Sequence, residues 1–325
     1  MENITWFICT FATLILWSAT CLLYKAGIHK EKEEHTCLKY SASIGIVFFI
    51  IAIVYLVIRD EPFTIWESAV RYWPMTLFGI VYAIINTFSF KGFIYNEVTV
   101  ESPVEGISRG TSVILLIFAY VALGRVDSIQ SLLTPLRTIG ILVTLISIIS
   151  LAAIRNNEAR SNKNGNPLDQ KSTWKNVGLG TLIFPVLYAI TDGLETIITG
   201  VCLDSTYGYA MPEGDSLIII GMEYAIFALC CYIYIYLTEK KFYNPFKKEN
   251  APRILGSITD NIGIVFYSYA MAKDSVSTDP ILATYPILVM ICGHLIMKER
   301  VSIKQYLCLF SIVAGSVLII VDTIK

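Results

Sequence analysis

The segment TVESPVEGISRGTSVILL, residues 99–116, sets Glu101, Glu105 and Arg109 four residues apart at the head of an apolar run. On a helix, Glu105 and Arg109 then lie one turn apart on the same face, with the acid N-terminal, the better order for an ion pair. Other carboxylates stand in apolar surroundings. Asp192 and Glu195 are three residues apart and share a helix face, Glu223 lies in IIIGMEYAIFAL, and Asp260 lies in GSITDNIGIVF. An isolated carboxylate in hydrocarbon is costly, so each of these must pair, hold a proton or face water. Each therefore suits either a proton carrier or the counter-charge of a cation. The plainer reading is a structural pair at Glu105 and Arg109, and neutral carboxyls bonded to a neighbouring helix at Glu223 and Asp260.

Aromatic residues accompany these acids: Trp17, Tyr82, Phe88, Tyr188, Tyr224, Tyr267 and Tyr285. Their π faces beside a carboxylate fit an organic cation or amine, although Tyr and Trp are also ordinary packing and interface residues in membranes. Asn86, Thr87, Ser89, Ser257 and Asn261 add polar groups to the same segments. Acid exceeds base inside the apolar runs, with Glu105, Glu223 and Asp260 against Arg109, which favours a cationic ligand.

The elements that must hold these side chains are membrane helices. The chain has 325 residues, 55% of them hydrophobic, and a mean hydropathy of +0.62. Charges are confined mostly to breaks between apolar runs, and in hydrocarbon each backbone group must be satisfied within its own segment. The alternating segments of a membrane β-barrel are not seen. At about 20 apolar residues per crossing, the sequence predicts ten helices near 4–24, 40–58, 72–93, 102–123, 132–153, 175–200, 216–237, 253–271, 279–297 and 303–321. No Lys or Arg precedes the first run, so it reads as a retained helix rather than a signal peptide.

A net charge of −1 gives no basic surface for nucleic acid. The eight cysteines form no CxxC pair and read as small hydrophobes. No Walker motif, HExxH, Ser/His/Asp set, HxxxxD or Asp-rich motif occurs, and the histidines are His29, His35 and His294. Enzymatic function, a cofactor, a bound metal and a primary pump are therefore not expected.

The polar break at 155–175 divides the chain into a first repeat (1–154) and a second (176–325). One constant shift places Gly79 on Gly256 and TVESP (99–103) on VSTDP (276–280), and with a small gap GRVDSIQ (124–130) falls on ERVSIKQ (299–305). Five helices per copy is an odd number, so the second copy is inverted in the membrane, as in many secondary transporters. Leu282 and Pro286 stand opposite Glu105 and Arg109, so the scaffold does not itself require those charges. Pro103 and Pro280 occupy equivalent positions and are hinge candidates. Loops after odd-numbered helices hold eighteen Lys and Arg against six on the other side. The positive-inside rule then places both termini outside a multi-pass cell-membrane protein.

The stretch ILATYPILVMICGHLIMKERVSIKQYLCLFSIVAGSVLIIVD (281–322) resembles the last two helices of an EamA-like member of the drug/metabolite transporter superfamily. Its turn reads Lys298, Glu299, Arg300, Val301, Ser302, followed by the step Ala314, Gly315. LILWSATCLLYKAG (14–27) is similar to the family's first helix and YVALGRVDS (120–128) to its first-copy turn, where Gly124 stands in place of the usual Glu. The resemblance implies an all-α integral membrane protein of ten transmembrane helices in two inverted five-helix repeats. It also implies a central cavity bounded by helices one, three, four, six, eight and nine. The family's termini usually lie in the cytoplasm, opposite to the side given by the charges.

Together these features predict a secondary active transporter of a small organic metabolite. The favoured substrate is an organic cation or amine moved by alternating access, with protons as a candidate coupling ion. The candidate residues are Glu105, Arg109, Glu223, Asp260, Asp192, Glu195, Trp17, Tyr82, Asn86, Tyr188, Asn261, Tyr267 and Tyr285. The expected partners are the substrate, the lipid bilayer and protons, in a monomer or homodimer. Two alternatives are an exporter of amino acids or other zwitterions, with Arg109 on the carboxylate, and a non-transporting scaffold or sensor of the same fold.

Overall fold

The structure is a computed structural model and describes residues 2–28, 35–58, 65–95, 98–161, 180–297 and 302–324, among which there is no strand. The helices are α1 (Glu2–Ile28), α2 (Thr36–Ile58), α3 (Ile65–Arg71), α4 (Trp73–Tyr95), α5 (Val98–Ala122), α6 (Ile129–Leu132), α7 (Pro135–Ser161), α8 (Gly180–Leu203), α9 (Glu213–Glu239), α10 (Ala251–Leu282), α11 (Tyr285–Met297) and α12 (Ile303–Ile324). A helical segment overlaps each of the ten expected ranges. Thr5–Ile28, Thr36–Ile58 and Glu213–Glu239 are each long and apolar enough to cross a bilayer unaided. The 23 residues of α2 extend roughly 35 Å at 1.5 Å per residue, against a hydrocarbon core of about 30 Å. Ile8, Phe11, Ile15, Leu307, Phe310 and Val317 are exposed on the protein surface, as a lipid-facing rim requires.

Local chemistry explains where the observed boundaries depart from expectation. α7 begins at Pro135 rather than at 132 because the Arg137 N–H donates to Thr134 Oγ1 (3.1 Å). That contact is an N-cap with proline at the first helical position. α10 contains both the eighth expected helix and the start of the ninth. Its interruption is Asp274, whose backbone leaves the helical region at φ −155°, ψ 89°. Asp274 Oδ1 accepts the Ser277 N–H (2.9 Å) and so starts the next helical limb.

The chain reverses at this point. Tyr267 Oη donates to Asp279 Oδ2 at 3.4 Å, whereas twelve residues of straight helix would hold them about 18 Å apart. The returning limb breaks again at Ala283 and Thr284, where Thr284 Oγ1 turns back to the Ile281 carbonyl (2.6 Å). Across that break α10 and α11 are bent by 43°. Pro280 lies between the two interruptions, as its missing N–H and ring favour. The counterpart in the first half, α5, runs through Pro103 without a break; the side chains of Pro103 and Glu105 lie outside the described residues.

α1 packs on α10, α2 on α9, α4 and α5 on α8, and α7 on α12. Exchanging the two halves of the chain turns α1–α10 into α8–α4, leaves α2–α9 and α7–α12 as they are, and turns α5–α8 into α11–α1, helices that also pack together. The α7–α12 seam is glycine-dependent: a side chain on Gly315 would strike Thr144 Oγ1 and come within 2.8 Å of the Gly140 carbonyl oxygen. Gly315→Val should therefore force the helices apart and lower stability by about 1–3 kcal/mol, the usual cost of overpacking. A fall in the melting temperature of the detergent-purified protein checks this, and an unchanged value would refute the tight seam.

Candidate functional site

Arg109 lies at the centre of the molecule, only 7% exposed. Its Nη2 donates to Asp192 Oδ1 of α8 (3.1 Å) and its Nη1 to Asp279 Oδ1 of α10 (3.3 Å). The guanidinium lies 4.3 Å above the Trp17 ring of α1 and 5.6 Å from that of Tyr267, an arrangement favourable to a planar cation. Both carboxylates have further donors. Ser108 Oγ donates to Asp192 Oδ2 (2.7 Å) and Tyr82 Oη to Asp192 Oδ1 (3.1 Å), while Tyr267 Oη serves Asp279. The Glu105 side chain, the expected partner one turn away, lies outside the described residues; the contacts described for Arg109 run to two other helices.

Beside this cluster lies a cavity of about 120 Å³. α1 supplies Trp17, Thr20, Cys21 and Tyr24, and α4 supplies Gly79, Tyr82, Asn86 and Phe90. Arg109 comes from α5, Tyr188, Glu195 and Thr199 from α8, Asp260 and Tyr267 from α10, and Tyr285 from α11. α9 also contributes Ile220 and Tyr224, so the seventh span joins the six that the resemblance implied. Two lining acids have light attachments. Glu195 Oε1 accepts from Thr199 Oγ1 (2.7 Å) and Asp260 Oδ2 from Tyr24 Oη (3.2 Å).

The tertiary structure thus gathers Trp17, Tyr82, Asn86, Arg109, Tyr188, Glu195, Asp260, Tyr267 and Tyr285 around one space, with Asp192 directly behind. Asn261 is not among them. Its amide donates to the carbonyls of Ile44 (3.1 Å) and Ser257 (2.8 Å), tying α10 to α2. Glu223 is also not among the lining residues; its carboxyl presses on Gly79 of α4, which is. The residue that sequence reasoning missed is Asp279. Its signal was its place in VSTDP, the segment already matched to TVESP, although Ser102 stands opposite it there.

The described residues form an all-helical bundle with several helices long and apolar enough to cross a membrane, packed around a charged, aromatic-lined space. Residues 197–321 match the model of the EamA-like transporter family, so this stretch is similar to the transporter domains of the drug/metabolite transporter superfamily. The family consists of membrane transporters rather than enzymes. No curated protein matches the chain. One solved crystal structure, described only as that of a protein, aligns over 98% of this chain and 98% of its own with a TM-score of 0.59 at 15% identity. That likeness shows a shared fold.

Removing the Arg109 charge would leave Asp192 and Asp279 buried without their cation. Arg109→Met should therefore destabilise the fold by about 3–5 kcal/mol. Arg109→Lys, which keeps a charge but loses the two-pronged geometry, should fall between that variant and the wild type. Denaturation in a fixed detergent measures both, and a wild-type-like Arg109→Met would refute the cluster's structural role.

Proposed function

We propose that this protein is a secondary active transporter of a small organic cation or amine. The observation that supports this most is the division of charge around the cavity. Arg109 is balanced by Asp192 and Asp279, which leaves Glu195 and Asp260 facing the cavity among Trp17, Tyr24, Tyr188 and Tyr267. A cation entering here meets two carboxylates and several π faces. A zwitterion would need Arg109 for its carboxylate, and both Nη atoms of Arg109 are already engaged. The cavity volume is of the order of that known to hold benzene, about 150 Å³, which favours a small amine over a bulky drug.

The mechanism is alternating access between two inverted five-helix repeats, residues 1–154 and 176–325, joined by 155–175. The exchangeable helix pairings support that division. The doubly interrupted limb from Asp274 to Thr284 supplies a natural hinge beside Asp279 and Pro280. The lysine- and arginine-rich loops face the cytoplasm and the termini lie outside, as the charge bias supports.

The test is thermal stabilisation of the purified protein by a panel of small amines, quaternary ammonium ions, amino acids and nucleosides. Small organic cations should raise the melting temperature of the wild type, and Glu195→Gln and Asp260→Asn should each abolish that rise. Stabilisation by amino acids alone would move the assignment to a zwitterion held at Arg109. No class-specific response would favour a non-transporting scaffold.

A further inference from the structure

Glu223 is the charged-type residue that the cavity does not use. It sits near the middle of α9, 5% exposed, and among the described residues neither of its carboxyl oxygens has a hydrogen-bond partner. Its nearest surface is backbone: a Cβ placed on Gly79 of α4 would collide with the Glu223 carboxyl, so glycine is what admits the group at this seam. Gly79 itself lines the cavity, as do Ile220 and Tyr224, the neighbours of Glu223 on α9. The carboxyl is therefore in contact with a residue of the cavity wall without itself lining the cavity.

Among the described residues, several ionisable groups on the surrounding helices have partners elsewhere. Tyr224, next to Glu223 in the chain, accepts from Asn86 Nδ2 (3.5 Å). Tyr82 of α4 bonds Asp192, Tyr55 of α2 bonds Tyr269 of α10 (2.7 Å), and Asp260 of α10 bonds Tyr24. Lys39 of α2 pairs with Glu239 at the far end of α9 (2.9 Å). At the near end Ser68 of α3, flanked in the chain by Glu67 and Arg71, donates to Asp215 (2.7 Å). None of these contacts supplies a donor or a counter-charge to Glu223.

A carboxylate without donors in such a place is costly, whereas a neutral carboxyl is tolerated. We propose that Glu223 is the proton-binding site of the transport cycle, separate from the cavity that takes the cation, and that Gly79 is the contact through which α4 registers its proton. This rests on the reading of the protein as a cation transporter. In the packed state the carboxyl holds its proton. When α9 and α4 part, water reaches the group, the O–H bond breaks, the proton passes to water and the carboxylate left behind is solvated. The seam can close again only after a proton returns, so one proton is bound and released in each cycle of closing and opening.

The test compares wild type, Glu223→Gln, Glu223→Asp and Asp260→Asn in proteoliposomes, with tetramethylammonium as the probe. Glu223→Gln should keep tetramethylammonium exchange but lose accumulation driven by a pH gradient. Glu223→Asp should retain part of that accumulation, and Asp260→Asn should lose exchange as well. Infrared spectra of the same proteins at neutral pH should show a protonated-carboxyl stretch in the wild type that Glu223→Gln lacks. Gradient-driven accumulation intact in Glu223→Gln, exchange lost together with accumulation in that variant, or identical carboxyl bands would each overturn the proposal. Should the wild type not exchange tetramethylammonium, the cation reading fails for this probe, and the infrared comparison alone decides whether Glu223 holds the proton.

Discussion

The ion cluster of Arg109 with Asp192 and Asp279 is the interaction around which the bundle is organised. It joins α5, α8 and the returning limb of α10, three helices distant in sequence, through one guanidinium. Charges so deeply placed are tolerable only in this company, because desolvation is offset by opposite charge and by hydroxyls from Ser108, Tyr82 and Tyr267. The Trp17 ring beneath the guanidinium brings α1 into the same assembly. The cluster also sets the charge of its surroundings. With Arg109 committed to two partners, the charge that remains facing the cavity is acidic.

The shape of α10 follows from the same constraint. Asp279 can reach Arg109, and Tyr267 can reach Asp279, only because the chain turns back at Asp274. A limb with two interruptions, at Asp274 and at Thr284, is a weak point in an otherwise continuous helical scaffold, and here it lies against the binding space. Non-helical backbone at this depth is tolerated where it is buried in protein or lines a cavity. Ser275, at the turn, donates its backbone N–H (3.1 Å) and its hydroxyl (2.6 Å) to Asp204, which fixes the end of α8 to the hinge. The turn and α8, the helix that provides Glu195, are thus directly joined.

Around this polar centre, close backbone approach keeps the outer helices in place. Gly140 and Gly315 bring α7 against α12, and Gly221 lets α9 approach Ala52 and the Phe48 carbonyl of α2. In a bilayer, where apolar burial gives little preference for helix over lipid, such small-residue contacts supply much of the specificity of association. Gly79 belongs to the same class, yet what it admits is a carboxyl rather than another helix backbone. Its place in the structure is chemical as well as steric.

Much of this arrangement was legible in the sequence. Apolar runs of bilayer length separated by charged breaks define the helices, because a backbone in hydrocarbon has no other partner for its polar groups. The acids and aromatics that would matter were equally visible, since charge within an apolar run is costly and so conspicuous. The partners of each charge were not. For Arg109 the sequence offered only Glu105 on its own helix, and nothing in it pointed to Asp192 and Asp279, which the guanidinium bonds from more than 80 positions away in the chain. Glu223, Asp260 and Asn261 looked alike as polar residues in apolar segments, yet they fall respectively on a helix seam, on the cavity wall and at a carbonyl of α2. Periodicity fixes which face of a helix a residue occupies; which neighbour covers that face depends on how the helices pack, and that was decided only in the tertiary structure.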